Sequence, residues 1–331
     1  MMKKILLISL FIFIGRIFTS CNKAGHQPEI HIRRMEKDLF ECPPETLKDS
    51  IPVLYARYNP FFQLFTEAII NIGDSSNPSF AEYLTNFVTN YGVYLSYQES
   101  QKVFADMSGI EKSLEKAFGR YLELFPGEKI PVICSFISGY LQGIAALDTI
   151  VAIGLDMYLG RNYEPYAIMW PDKKYKRYNL HPAKIPSDVI QFWAMSRYPF
   201  GAEENTVLAN MLYHGKIWYF TRQLMPDEPD TLVFGFSPLQ LQWCQNNEKQ
   251  MWTYLVEHQL LYNSNYMTVH KLVGEGPFTY YFTRESPARA AVWLGYRIIS
   301  SYMKNNPGIS LEQLMKDNDY VRLLSMSKYK P

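Results

Sequence analysis

The stretch at 206–226, TVLANMLYHGKIWYFTRQLMP, constrains this chain more than any other. It is long enough for about five helical turns, and only Gly215 within it argues against a helix. Val207, Leu208, Met211, Leu212, Ile217, Trp218, Tyr219, Phe220 and Leu224 place apolar groups almost all the way round. A helix apolar on every side is covered by other elements, so this one is expected at the centre of the molecule. Pro226 and the polar run after it end the helix. His214-Gly215-Lys216-Ile217-Trp218 occupies the frame that His-Glu-x-x-His fills in a zinc peptidase helix. That motif needs imidazoles at i and i+4 facing one ion and a carboxylate base at i+1. Here i+1 is Gly215 and i+4 is Trp218. His214 therefore reads as a packed or hydrogen-bonded histidine, and no metal is expected.

The N-terminus carries the clearest address. Lys3-Lys4 and the apolar run 5–14 have the form of a secretory signal. Arg16-Ile17-Phe18-Thr19-Ser20-Cys21 follows, a small residue and then Cys as in a bacterial lipobox. The reading is a signal peptide at 1–20, acylation of Cys21 and a tether at 21–28. The apolar run is too short to be a comfortable membrane span. Of the other cysteines, Cys42, Cys134 and Cys244, no two have CxxC spacing. A net charge of +1 offers no basic face, so nucleic acid is not an expected partner.

The chain is 47% hydrophobic and 15% aromatic, enough for a large core. Residues 29–40 read as a short strand leading into a helix. The pattern then turns helical, with candidates at 45–58, 61–70, 78–90, 97–107 and 110–124. Two β-branched runs, at 130–140 and 149–159, read as strands joined through 141–148. A polar, Tyr-rich loop follows to Pro186; loops of that length are usually functional or disordered. Helices return at 187–197, 206–225, 237–260, 287–305 and 311–316. Ser237-Pro238 and Ser286-Pro287 each supply an N-cap with Pro at N1. The predicted fold is α+β and mostly α, a helical domain with a small β-sheet. It forms a single domain over 29–331: a helical part at 29–127, strands at 130–159 and a helical part at 186–331.

Several segments together resemble the gliding motility lipoprotein GldB family of Bacteroidota. They are IPVICSFISGY, VAIGLDMYLG, GKIWYF with Pro226 after it, LQWCQNNEKQMWTYLVE, LLYNSN, GEGPFT and ESPARAAVWLGYRIISSYM. Ala288-Arg289-Ala290 departs from a pattern that has Gly after the Pro. The resemblance implies an envelope lipoprotein of the gliding machinery, without naming a biochemical activity. The same ground plan is similar to that of zincin-type peptidases, with a strand pair, a metal helix, a helix bearing a third Glu ligand and a closing SPGR-like helix. On that likeness the scaffold is a degenerate zincin, and Glu248 stands where the third ligand would fall.

The candidate residues are few. Lys216 is a charged residue on an apolar helix and needs a partner if buried. Glu248 on the neighbouring helix is the expected one, although Lys216 lies about 200° round from His214 and would have to reach across. Arg289 and Arg297 need carboxylates, with Glu275 and Glu285 as candidates. Trp252 belongs with Trp243, Tyr254, Tyr262, Trp293 and Tyr296 to an aromatic set that reads as core or as a pocket wall. No cofactor motif is present. The expected function is a periplasm-facing, lipid-anchored envelope protein that binds other envelope proteins without catalysis. The alternative is a divergent zincin-like hydrolase using Glu248, and a third reading is ligand capture in an aromatic cleft.

Overall fold

The β-branched runs build the sheet. In the computed structural model, which describes residues 27–201, 203 and 205–331, Val132–Phe136 (β2) and Ile150–Gly154 (β4) pair in parallel, Val132 opposite Ile150 and Phe136 opposite Gly154. The signal peptide, Cys21 and the tether up to His26 lie outside the described residues. The segment expected merely to join the strands contributes one of its own, Ile144–Ala146 (β3), antiparallel to β4. Arg33–Arg34 (β1) adds to the other side of β2, giving the order β1-β2-β4-β3. β4 is buried throughout, and β2 is buried beyond Val132. Helices on both faces of a parallel pair explain why these strands read as unbroken apolar runs.

Six helices lie between β1 and β2. They are Met35–Phe40 (α1), Leu47–Tyr58 (α2), Phe61–Leu64 (α3, continued by a π turn at Phe65–Ile69), Phe80–Thr89 (α4), Tyr91–Val103 (α5) and Ser108–Leu124 (α6). α5 starts six residues before the predicted 97. Asn90 caps it, its Oδ1 accepting from the backbone N–H of Gly92 at 3.0 Å and of Val93 at 3.2 Å. The long polar loop holds two short helices, Glu164–Met169 (α7) and Lys174–Arg177 (α8).

The C-terminal part begins with Ile185–Arg197 (α9), Val207–Leu224 (α10) and Asp230–Phe234 (α11). Pro238–Asn246 (α12) and Glu248–Glu257 (α13) replace the single helix expected at 237–260, because the chain breaks at Asn247. Ser237 and Gln240 form the capping box that starts α12. Tyr266–Val273 (α14) and Tyr320–Ser327 (α17) were not expected; Asn265 and Asp319 cap them. Ala290–Asn305 (α15) begins later than the predicted 287, since Arg289 sits in the left-handed region at φ 61°. Leu311–Lys316 (α16) falls where the sequence puts it.

α10 is the central helix, as its all-round apolar pattern implies. Thr206 caps it, and α6, α9, α14, α15, α16 and α17 surround it. Leu208, Met211, Leu212, Ile217, Trp218 and Phe220 are each at most 2% exposed. The core is continuous with the N-terminal helices: Trp193 of α9 meets Phe118 and Tyr121 of α6 edge-on, with ring centroids 5.1 and 4.8 Å apart.

Candidate functional site

Two glycines set the geometry around His214. A Cβ on Gly215 would stand 2.4 Å from the carbonyl carbon of Gly295, and one on Gly295 would stand 1.9 Å from the carbonyl oxygen of Met211. α10 and α15 thus touch backbone to backbone, as only glycine permits. This contact brings the start of α15 over α10. The segment before α15 is pinned by two buried hydroxyls. Thr279 Oγ1 donates to Pro287 O at 2.7 Å and accepts from Ala290 N at 3.0 Å, while Ser286 Oγ accepts from Thr279 N at 3.1 Å. The chain so held carries Arg289 at its left-handed φ, with the guanidinium carbon 4.9 Å from the centre of the Trp218 ring.

Arg289 and Trp218 form one side of a cleft. Its inner part, about 240 Å³, is lined also by His214, by Lys184 just before α9 and Asp188 within it, and by Glu275. It shares Asn179, Gly235, Glu275 and Arg289 with an outer depression of about 490 Å³, whose walls include Lys174, Tyr175, Tyr178, Phe236 and Gln240. The carboxylates on this surface are already engaged. Asp188 is paired with Lys184 and accepts from Tyr158 Oη at 2.9 Å. Glu275 accepts from Arg289 Nη1 at 3.1 Å. Gly235 ends α11 at φ 71°, and its carbonyl accepts from Asn179 Nδ2 at 3.0 Å, which fixes the Tyr-rich loop against the cleft.

His214 has no hydrogen-bond partner among the described residues. Its pKa is pushed down to about 3, first by burial and then by the Arg289 charge, so the imidazole is neutral at physiological pH. A zinc ion does not suit this donor set. The frame supplies one imidazole, Trp218 takes the place of the second, and a fixed guanidinium lies over that indole. Among the described residues no three His, Cys, Asp or Glu side chains are grouped to hold a metal.

The other candidates lie elsewhere. The expected pair between Lys216 and Glu248 does not form. Lys216 is 1% exposed, and its Nζ donates to Asp317 O at 2.7 Å and Met315 O at 3.3 Å, 5.0 Å from the centre of the Tyr320 ring. It leaves α10 on the face toward α16, whose last carbonyls have no helical partner and accept the ammonium. Glu248 instead accepts from Arg297 Nε at 2.9 Å and Tyr329 Oη at 2.8 Å, outside the cleft. Arg297 is therefore paired with neither Glu275 nor Glu285, whereas Arg289 does meet Glu275. Trp252 packs edge-on against Tyr329 at 5.3 Å. No member of its aromatic set lines the cleft; Trp293 is 3% exposed core. Cys42, Cys134 and Cys244 are free thiols. Lys184, Asp188 and Trp218 as a wall were not foreseen; the long loop before Pro186, which read as functional or disordered, supplies Asn179 and Tyr178 to this surface.

No curated protein and no solved structure matches the chain. One family model does, that of the gliding motility protein GldB, over residues 21–331. With nearly the whole chain matched, and with a mostly helical fold around a small sheet, this protein belongs to the GldB gliding motility family.

Proposed function

We propose that this chain is an envelope lipoprotein, held to a membrane by acyl chains on Cys21 and facing the periplasm, that serves the gliding machinery by binding other envelope proteins rather than by catalysis. The observation that carries the non-catalytic reading is the Arg289 guanidinium over Trp218 beside a single histidine. Zinc hydrolysis in the His-Glu-x-x-His frame needs an open cation site and the Glu at i+1 as base. This frame has a fixed organic cation and a glycine there. Family membership supports a role in gliding. Anchoring rests on the lipobox-like sequence before Cys21, which lies outside the described residues. Among the described residues no helix is long and apolar enough to cross a membrane. Two acyl chains anchor stably where one binds marginally.

Both halves of the reading are testable on the full-length protein. Labelled palmitate should enter the wild type and not Cys21→Ser; equal labelling would refute the anchor. Protein purified from envelope membranes should carry zinc well below one ion per chain and keep its melting temperature in chelator. Near-stoichiometric zinc with chelator-sensitive peptidase activity would instead establish the divergent hydrolase. Protease shaving of intact cells should leave the protein uncut, and its cleavage would place it on the cell surface.

A further inference from the structure

We propose that the cleft over Trp218 binds a short acidic sugar chain, a uronic-acid oligosaccharide, with a carboxylate on Arg289 and the outer end of the ligand near Lys174. The proposal goes beyond the anchoring and motility reading and depends on neither.

Three observations converge on it. The first is the state of Arg289. A guanidinium offers five N–H donors in a planar fork matched to a carboxylate. Among the described residues only Nη1 is engaged, with Glu275, leaving Nε and Nη2 without protein acceptors. Glu275 is two-thirds exposed, so it holds the guanidinium from the solvent side. A bulky non-glycine residue held at φ 61° is a local cost that the surrounding structure must sustain, and such residues cluster where a side chain is aimed for use.

The second is the charge balance of the lining. Its two carboxylates, Asp188 and Glu275, are each already paired with a cation of the same cleft. Of the cations nearby, Lys174 lines the cleft without a carboxylate of its own among the described residues, and in the stretch around it Lys173, Lys176 and Arg177 outnumber Asp172. The whole molecule has a net charge of only +1, so this is a local excess. An anionic ligand is favoured there.

The third is the character of the walls, which distinguishes a sugar from a peptide. Tyr175, Tyr178 and Phe236 provide ring faces for the C–H surfaces of pyranose rings. Gln240 spends its Oε1 in the α12 capping box, which leaves its amide N–H groups for hydroxyl acceptors. Peptides dock by adding to a strand edge or by laying an apolar helix face in a groove. No strand residue lines this cleft, and its walls mix aromatic and polar groups with a few aliphatic ones, Met195, Ile217 and Leu239. Its size is that of a small-ligand site.

The test is isothermal calorimetry on the full-length chain in detergent, titrated with trigalacturonic acid, with maltotriose and triglutamate as neutral-sugar and acidic-peptide comparisons. One-to-one binding is expected, weakening as salt rises toward ~0.5 M. Arg289→Asn, chosen because Asn tolerates positive φ, should weaken it by about tenfold or more. Lys174→Gln, on an exposed and structurally undemanding residue, should weaken it by about threefold. Maltotriose and triglutamate should each bind at least about tenfold less tightly than trigalacturonate. Absence of binding to the wild type, undiminished binding by folded Lys174→Gln and Arg289→Asn, or triglutamate binding as tightly as the sugar would each overturn the proposal.

Discussion

Lys216 shows how one side chain can be buried on an apolar helix without a carboxylate. Its ammonium ends a helix by taking the carbonyls of Met315 and Asp317, and the negative end of the α16 dipole lies in the same place. Two neutral acceptors do not replace hydration in full. Burial pushes the pKa down to about 8, with Asp317 opposing the shift. A group whose folded pKa is depressed has its stabilising effect in full above its unfolded pKa and loses it as pH falls through the folded one. For Lys216 the window runs from the ordinary value of 10.5 down to about 8. Below that window both folded and unfolded chains carry the proton and the burial cost is complete. A shift of this size corresponds to about 3 kcal/mol as an upper figure. Denaturant unfolding of wild type and Lys216→Met at pH 7.5 and at higher alkaline values should show the wild type gaining on the variant by up to that amount. Tyrosine ionisation is common to both proteins and cancels in the difference. A constant difference across the window would mean that the ammonium is better solvated than this geometry allows.

At the scale of elements, the contact between α10 and α15 organises the site. Gly215→Ala and Gly295→Ala each gain about 1 kcal/mol of helix propensity. Each also places a methyl against backbone, at 2.4 Å and 1.9 Å respectively, where no side-chain rotation relieves it. Overpacking of this kind costs about 1–3 kcal/mol, occasionally more. Both variants should therefore melt below wild type despite the better propensity, with Gly295→Ala the worse. The double variant should cost less than the sum of the two, because one separation of the helices relieves both clashes. A melting temperature equal to or above wild type in either single variant would show that the helices can part freely.

Much of this element was readable in advance. Apolar groups almost all the way round and Pro226 after them are local signals, and a glycine inside such a helix already suggests close approach. The same holds for β2 and β4, whose β-branched runs stand out. What escaped has physical reasons. β3 is three residues long and exists by virtue of its neighbour. Backbone carbonyls, which hold Lys216, leave no trace in residue type, so a carboxylate was expected in their place. Arg289 over Trp218 joins residues distant in the chain through a contact made by two glycines and two buried hydroxyls. None of these has a motif, and only the fold assembles them.

At the scale of the whole molecule, the sheet and both helical parts meet at Trp193. The side chain is fully buried on α9 and packs edge-on against Phe118 and Tyr121 of α6, in the N-terminal part. Its Nε1 donates to Asp148 O at 3.2 Å, in the turn between β3 and β4. Tyr121 in turn reaches Phe220 of α10, centroid to centroid 6.3 Å. No layer of the fold can detach without exposing this cluster, so the region from residue 29 onward is expected to unfold as one cooperative unit. Replacing a buried Trp by Ala costs about 3–5 kcal/mol from lost transfer energy and the cavity left behind. Trp193→Ala should accordingly shift the transition seen by far-ultraviolet dichroism, which reports the helices throughout, and that seen by fluorescence of the remaining tryptophans, most of them C-terminal, by the same amount. Coincidence of the two probes in wild type and variant is the signature of a single transition. If the fluorescence transition moved while part of the helical signal melted unshifted, the N-terminal helices would be an independent unit, and the Trp193 cluster would be an interface between two domains rather than the centre of one.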